Sequence, residues 1–235
     1  MASRHTRPNL ASRATAQDAE APVKAAPLLA ASRLAREFFA REAVTVAREL
    51  LGKLLIRRNG KRLLAGRIVE DEAYLGALDP AAHAYNGRTA RNAVLFGPPG
   101  HAYVYFVYGN YYCTNVSCMP EGDAGSVLLR ALEPVFGLEA MAEARGLELP
   151  SEPRVSQLRL ISSGPGRMSE ALGITRDRDN GKDLTASRSD LWLADDGYRV
   201  KRIVSTARIG INKAVSEPLR FVIAGNSFVS GPRTG

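Results

Sequence analysis

In the stretch RIVEDEAYL, residues 67–75, a period of two places Ile68, Glu70, Glu72 and Tyr74 on one face of a strand and Val69, Asp71, Ala73 and Leu75 on the other. Glu72 and Tyr74 therefore share a face. A carboxylate beside an aromatic ring suits hydrolysis of a glycosidic or N-glycosidic bond: the carboxylate can activate water while the ring packs a flat or cationic group. The same pattern also describes a solvated strand charge. The two-carboxylate arrangement of ordinary glycosidases is not evident, because Glu70 and Glu72 are close strand neighbours without a designed spacing.

Other polar residues are candidates of a second kind. His83 sits in an irregular loop, where an imidazole can stack, donate or accept near neutral pH. Arg88, Arg91 and Arg130 could contact phosphate or hold a carboxylate, and only Arg130, in the apolar setting SVLLRALEP, demands a partner on burial grounds. The segment SSGPGR, from Ser162 through Ser163 and Gly164 to Arg167, leads into a helix whose first N–H groups could meet a phosphate; a tight turn is the plainer reading. The chain holds two cysteines, Cys113 and Cys118, and three histidines, His5, His83 and His101, with neither a CxxC pair nor HExxH. No metal and no cofactor is expected, and the odd separation of the cysteines on one strand puts their thiols on opposite faces, against a disulfide.

The elements that must position these groups can be read in outline. A helix is expected from Leu34 to Leu51, with Phe38, Phe39, Val44, Ala47 and Leu50 at roughly helical spacing and Gly52 as its stop. A strand at Lys53 to Arg57, a two-residue turn at Asn59-Gly60 and a longer strand from Arg62 to Leu75 follow. Gly76 to Gly100 is rich in turn formers and reads as a long functional loop. In HAYVYFVYGNYYC, residues 101–113, alternation separates Tyr103 and Tyr105 from Val104, Phe106 and Tyr108, and Gly109-Asn110 is a permissible hairpin turn. Tyr111 to Cys118 is the partner strand and SVLLRALEP the next. Helices are expected at Gly137 to Arg145 and Gly164 to Leu172, then short strands near Leu191 to Leu193, Arg199 to Ile211 and Leu219 to Ile223, with TRDRDNGKDLTASRSD as a polar loop. This pattern predicts an α+β fold built on a largely antiparallel sheet, in one domain covering residues 33–235.

Thirty-two Lys and Arg against twenty-four Asp and Glu give a net charge of +8 over 235 residues, which favours a polyanionic partner. Residues 1–32 have little apolar periodicity and read as a disordered basic tail. No apolar run is long enough for a membrane helix and no secretory signal is visible, so a soluble, intracellular protein is expected. No obligate protein partner is implied, and a monomer is the expectation.

The segments LARELLGKLL, GRIVEDEAYLG, AAHAYNGRTARNAVLFGPPGHAYVYFVYGNYYCTNVSC, SVLLRALEP, SSGPGRMSEALGI, ARIGI and PLRFVI together resemble the alkyladenine, or 3-methyladenine, DNA glycosylase family, in order and over roughly residues 34–230. The resemblance implies a monofunctional enzyme, free of cofactor, that flips a damaged purine nucleotide from duplex DNA and hydrolyses its N-glycosidic bond. It implies Glu72 as general base, with Arg130 positioning the water. Tyr74, His83 and Tyr105 would surround the extruded purine, Asn115 would obstruct the guanine 2-amino group, and Tyr108 would intercalate. Arg88, Arg91, Ser163 and Gly164 are candidate contacts to the DNA backbone. The implied location is the cytoplasm and nucleoid in a bacterium, or the nucleus or an organelle in a eukaryote. Ala90 stands where the family favours proline and Asn110 where it favours an apolar residue, which bears on loop rigidity rather than on chemistry. Two other readings remain: a nucleic-acid-binding module without hydrolysis, disfavoured by the full set of site residues, and a carbohydrate hydrolase, disfavoured by the basic balance and the missing second carboxylate.

Overall fold

The computed structural model describes residues 30–107 and 109–231. Nine strands form one antiparallel sheet: β1 (Ser32–Arg33), β2 (Leu54–Asn59), β3 (Arg62–Tyr74), β4 (Ala102–Val107), β5 (Tyr111–Cys118), β6 (Gly125–Phe136), β7 (Leu191–Asp195), β8 (Ile203–Thr206) and β9 (Arg220–Ile223). Their order is β1-β7-β2-β3-β6-β5-β4, and β9 joins β8 to the second half of β3. The described helices are α1 (Arg36–Phe39), α2 (Ala43–Leu50), α3 (Leu138–Ala144), α4 (Val155–Ser162), α5 (Pro165–Ala171) and α6 (Arg176–Asp179). The α+β class with an antiparallel sheet is as the sequence predicts. No helix among the described residues is long and apolar enough to cross a membrane. Residues 1–29, most of the expected tail, lie outside the described residues, and Ser32 and Arg33 pair with β7.

The expected helix from Leu34 to Leu51 is two helices. The carbonyls of Phe39 and Arg41 both accept the N–H of Met119, and Arg41 Nε donates to the Phe38 carbonyl, so the backbone between them is spent on other partners. In α2 the buried residues Ala43, Val46, Ala47 and Leu50 recur at intervals of three and four and enter the main core. The hairpin between β2 and β3 turns at Gly60-Lys61, one residue later than expected: Asn59 pairs with Arg62, and Gly60 takes φ +61° at the first turn position, where glycine is favoured. Two helices were not foreseen. In α4, Ile161 and Ser162 are buried while Leu160 is exposed, and α6, inside the expected polar loop, is capped by the Thr175 side chain accepting from Arg178 N–H. Below α6, Arg57 and Asp179 form a fully buried ion pair, Nη2 to Oδ2 at 2.6 Å.

β3 is the axis of the molecule. Its first half pairs with β2, its second half with β9, and its other edge with β6 throughout. The β3–β6 ladder slips twice near the middle: Val69 on β3 has no partner between Ile68↔Leu132 and Glu70↔Ala131, and Arg130 on β6 has none between Ala131 and Leu129, which pairs with Asp71. These two bulges face each other across the ladder and cancel in register. They also change the expected face. Ile68 and Val69 both enter the main core, so Ile68 does not share the side of Glu70. From Val69 onward the strand alternates, with Val69 and Ala73 in the core and Glu72 and Tyr74 opposite.

β4 is the edge of the sheet, and residues 180–182 cover it. Ala102 N–H donates to the Lys182 carbonyl, Gly181 N–H to the Ala102 carbonyl, and Val104 N–H to Asn180 Oδ1. Tyr103 and Tyr105 point to one side, Val104 lies in the core and Phe106 is 48 % exposed against Tyr112, as the alternation predicts. Val107 pairs with Tyr111, so three residues separate these strands rather than the two of the expected Gly109-Asn110 turn. The expected strand from Arg199 to Ile211 shortens to Ile203–Thr206, and residues 207–213 leave the sheet.

Candidate active site

Glu70, Glu72 and Arg130 meet where the two bulges cross. Arg130 Nε donates to Glu70 Oε1 at 2.8 Å, and Arg130 Nη1 stands 3.1 Å from Glu72 Oε1. Two more donors hold Glu72: Oε1 also accepts the Ile209 N–H at 2.8 Å, and Oε2 accepts the Tyr74 hydroxyl at 2.9 Å. Burial raises its pKa above the ordinary carboxylate value, and the Arg130 charge, the Ile209 N–H and the Tyr74 hydroxyl act against that rise. Glu70 is a hub of another sort. Its carboxylate accepts from Arg130, from Arg220 Nε at 2.8 Å, and from both the N–H and the hydroxyl of Ser230. With both oxygens already taken as acceptors by these donors, Glu70 has none turned to a leaving group as the acid of a glycosidase pair would need.

A cavity of about 670 Å³ opens over this cluster, a size usual for small-molecule sites. Tyr74, Arg130, Leu128 and Ile209 form its floor beside Glu72, which lies one layer behind them. Tyr74 comes from the end of β3, held by Gly76 at φ +63°, where a Cβ would lie 1.7 Å from the Ala124 carbonyl oxygen. No side chain fits there. His83, from the loop after β3, and Tyr105, from β4, stand with ring centroids 4.5 Å apart at 62° and line the same cavity. Burial and the Arg91 charge lower the His83 pKa, so the imidazole is neutral at pH 7, and its Nδ1 shares a hydrogen bond with the Tyr103 hydroxyl at 2.9 Å. Asn115 is buried at the cavity wall, its amide 3.4 Å from the Tyr103 carbonyl, and the Tyr105 hydroxyl reaches both Asn115 and the Cys113 thiol. Cys113 lines the cavity and Cys118 lies in the core, on opposite sides of β5 as their spacing predicts.

The family model described as methylpurine-DNA glycosylase matches residues 37–227. The chain belongs to this family. As a member it is a DNA glycosylase, a hydrolase of N-glycosidic bonds with a place in DNA repair. Proteins named "Putative 3-methyladenine DNA glycosylase" are similar to it over most of their length. The one from Koribacter versatilis is 61 % identical over 198 residues, covering 84 % of this chain and 93 % of its own. Those from Burkholderia lata and Methanoculleus marisnigri are 46 % and 47 % identical, covering 85 % and 82 % of this chain and 91 % and 96 % of theirs.

In this glycosylase the remaining residues singled out from sequence are more scattered. Arg88 and Arg91 are exposed on the loop after β3, and Arg91 stands 6.0 Å from the Tyr105 ring and lines a smaller cavity with Phe106 and Arg176. Ser163 is buried and bridged to Ala131, whereas Pro165, after Gly164, reaches the main cavity. Tyr108 lies outside the described residues. Sequence reasoning gave no role to Glu70, Tyr103 or the loop 207–213. The segment ARIGI marked that loop, but only the fold shows its Ile209 N–H on Glu72.

Proposed function

We propose that this glycosylase removes alkylated purines, 3-methyladenine and 7-methylguanine foremost with hypoxanthine and ethenoadenine as further candidates, from duplex DNA, and so initiates base-excision repair. The observation that carries the reading is the Glu72 carboxylate, raised in pKa by burial yet held by Arg130, Ile209 and Tyr74 against an aromatic cavity with room for an extruded base. A duplex base cannot reach such a site, so the nucleotide is extruded, at a cost of a few kcal/mol that is smallest for damaged pairs. Tyr74 on one wall and His83 with Tyr105 on another surround the purine; the faces of these rings attract the positive charge of an alkylated base.

Glu72 takes a proton from water as the oxygen attacks the sugar C1′, and the electron pair of the N-glycosidic bond leaves with the purine. Arg130, in contact with Glu72, orients carboxylate and water. An alkylated purine departs neutral and needs no acid; a neutral purine has to be protonated as it leaves. Asn115 at the buried wall obstructs the 2-amino group of normal guanine. Tyr108 enters the vacated stack, and Arg88, Arg91 and the backbone at Ser163 and Gly164 hold phosphates in a salt-dependent way. The enzyme acts as a monomer, without cofactor or lysine nucleophile.

The test is release of free 3-methyladenine and 7-methylguanine from methylated duplex DNA by the wild type and by Glu72→Gln. Release by the wild type and its loss in the variant are expected. No release by the wild type, or equal release by both, sinks the proposal. A second experiment addresses Tyr108→Ala, expected to weaken lesion-duplex binding more than the hydrolytic step under single turnover.

A further inference from the structure

Arg208, the arginine of ARIGI, touches none of the groups given a chemical role except one ring, yet it ties three walls of the cavity together. Its Nη1 donates to the Ala73 carbonyl at 3.0 Å, and Nη1 and Nη2 grip both oxygens of Asp79. Asp79 also accepts the N–H groups of Leu75 and Ala81, which fixes the start of the loop that carries His83. The neighbouring residue, Ile209, presents its N–H to Glu72. Arg208 Cζ lies 4.7 Å from the centroid of the Tyr74 ring. The arginine side chain is fully enclosed, while Tyr74 lines the cavity, so the ring stands between the guanidinium and the space where a base would sit.

We infer that Arg208 is a positioning and specificity-determining residue, whose ion pair with Asp79 turns its positive end to the rear of Tyr74 and tempers the advantage that the aromatic cavity gives cationic purines, so that neutral purines compete. This rests on the reading that Tyr74 packs against the extruded base. A cation is attracted to either face of an aromatic ring, but two cations on opposite faces draw on the same π electrons and repel each other across a poorly screened gap. A cationic alkylpurine therefore gains less from Tyr74 than it would from a ring with a free rear face. Bond cleavage does not cancel this difference. Either base takes the same bonding pair, so its charge falls by one unit in both cases, and a fixed positive charge behind the ring favours the two changes alike. The discrimination therefore lies in how the base is held. Both partners stay ionised at neutral pH, since each holds the other's pKa away from neutrality.

The experiment compares release of cationic 7-methylguanine with that of neutral hypoxanthine and ethenoadenine under single turnover at subsaturating enzyme, where the rate includes how well each base is held, by the wild type, Arg208→Gln, Arg208→Lys and Asp79→Asn, each checked by thermal melting. Arg208→Gln should raise the ratio of cationic to neutral release by about threefold to tenfold, the worth of one cation–π contact. Arg208→Lys should keep the wild-type ratio even where both rates fall. Asp79→Asn, which leaves the cation without its counter-charge, should move the ratio the opposite way. Equal losses on both kinds of base in Arg208→Gln, or shifts of the same direction in the Gln and Asn variants, would overturn the inference and leave Arg208 a structural clamp. So would a wild type that releases 7-methylguanine and neither neutral base. If Arg208→Gln does not fold, the direction of the Asp79→Asn shift still decides. Should the wild type release no base at all, it is the reading of the cavity that fails.

Discussion

Two adjacent carboxylates on β3 meet opposite fates. Glu72 faces the cavity floor with Arg130, Ile209 and Tyr74 on its oxygens. Asp71 faces the other way, fully buried beside Leu129 and Phe221, and neither of its oxygens has a hydrogen-bond partner among the described residues. Burial raises both pKa values, and for Asp71 the nearby Glu70 and Glu72 charges raise it further, with no opposing partner. The difference teaches that burial alone does not make a catalytic carboxylate. Glu72 keeps its charge within reach because a cation and two donors oppose the cost of desolvation, whereas Asp71 meets the same cost by keeping its proton.

The contrast is broken most directly at its functional end. Glu72→Gln should slow single-turnover base release about 100-fold or more, whereas Asp71→Val should leave it within a few-fold; comparable losses in both would erase the distinction. Arg130→Met comes next, with release slowed about tenfold or more and a pH profile that identifies the cause. Glu72 works as a base only when ionised, so activity falls as pH drops through its pKa; without the Arg130 charge that pKa rises, and the acid limb should move to higher pH. An unmoved limb would mean that Arg130 does not hold the proton equilibrium of Glu72.

Asp71→Val tests the other face. Removing a buried carboxyl without partners should stabilise the fold by about 1–2 kcal/mol, read as a higher urea midpoint. The sign with pH follows from the direction of the shift. The folded pKa lies above the unfolded value of about 3.9, so this group's favourable contribution is complete below that value and is lost as pH rises through the folded pKa. The advantage of Asp71→Val should therefore widen on going from pH 4 upward. The smallest effect belongs to Tyr74→Phe, which keeps the ring and deletes one hydrogen bond to Glu72: release should fall by only about threefold at pH 7, as expected for one such bond. The acid limb should shift upward, by less than in Arg130→Met.

Sequence alone marked Glu72 and Tyr74 as partners because alternation along a strand is a local property, and β3 does alternate from Val69 to Tyr74. It placed Tyr103 and Tyr105 on one side of β4 for the same reason, and foresaw that Arg130 in an apolar setting needs a partner. It could not see the bulges, which depend on how β3 and β6 are matched, and so misassigned Ile68. It split no helix at residues 40–42, because the competitor for those carbonyls, Met119, comes from a distant turn. Glu70 looked idle beside Glu72, since three of its donors, from Arg220 and Ser230, arrive from the far end of the chain. The hydrogen bond of Tyr103 was not foreseen because its hydroxyl partner, His83, lies on a loop whose path no periodicity describes.

The paired bulges at Val69 and Arg130 have a consequence for how this site can change over generations. Each adds one residue to one strand, and the two additions compensate. Losing Val69 alone would slide the end of β3 by one step, bringing Asp71, Ala73 and Leu75 under the cavity and turning Glu72 toward the core. Removing Arg130 alone would do the converse to β6. Losing both would leave the middle of the ladder regular, with no guanidinium between the two glutamates. A lineage can keep the pair or drop the pair, but every single-residue step between those states passes through a chain whose faces are exchanged. The geometry of the site is thus stored as a phase difference between two strands, protected by the absence of a viable halfway point.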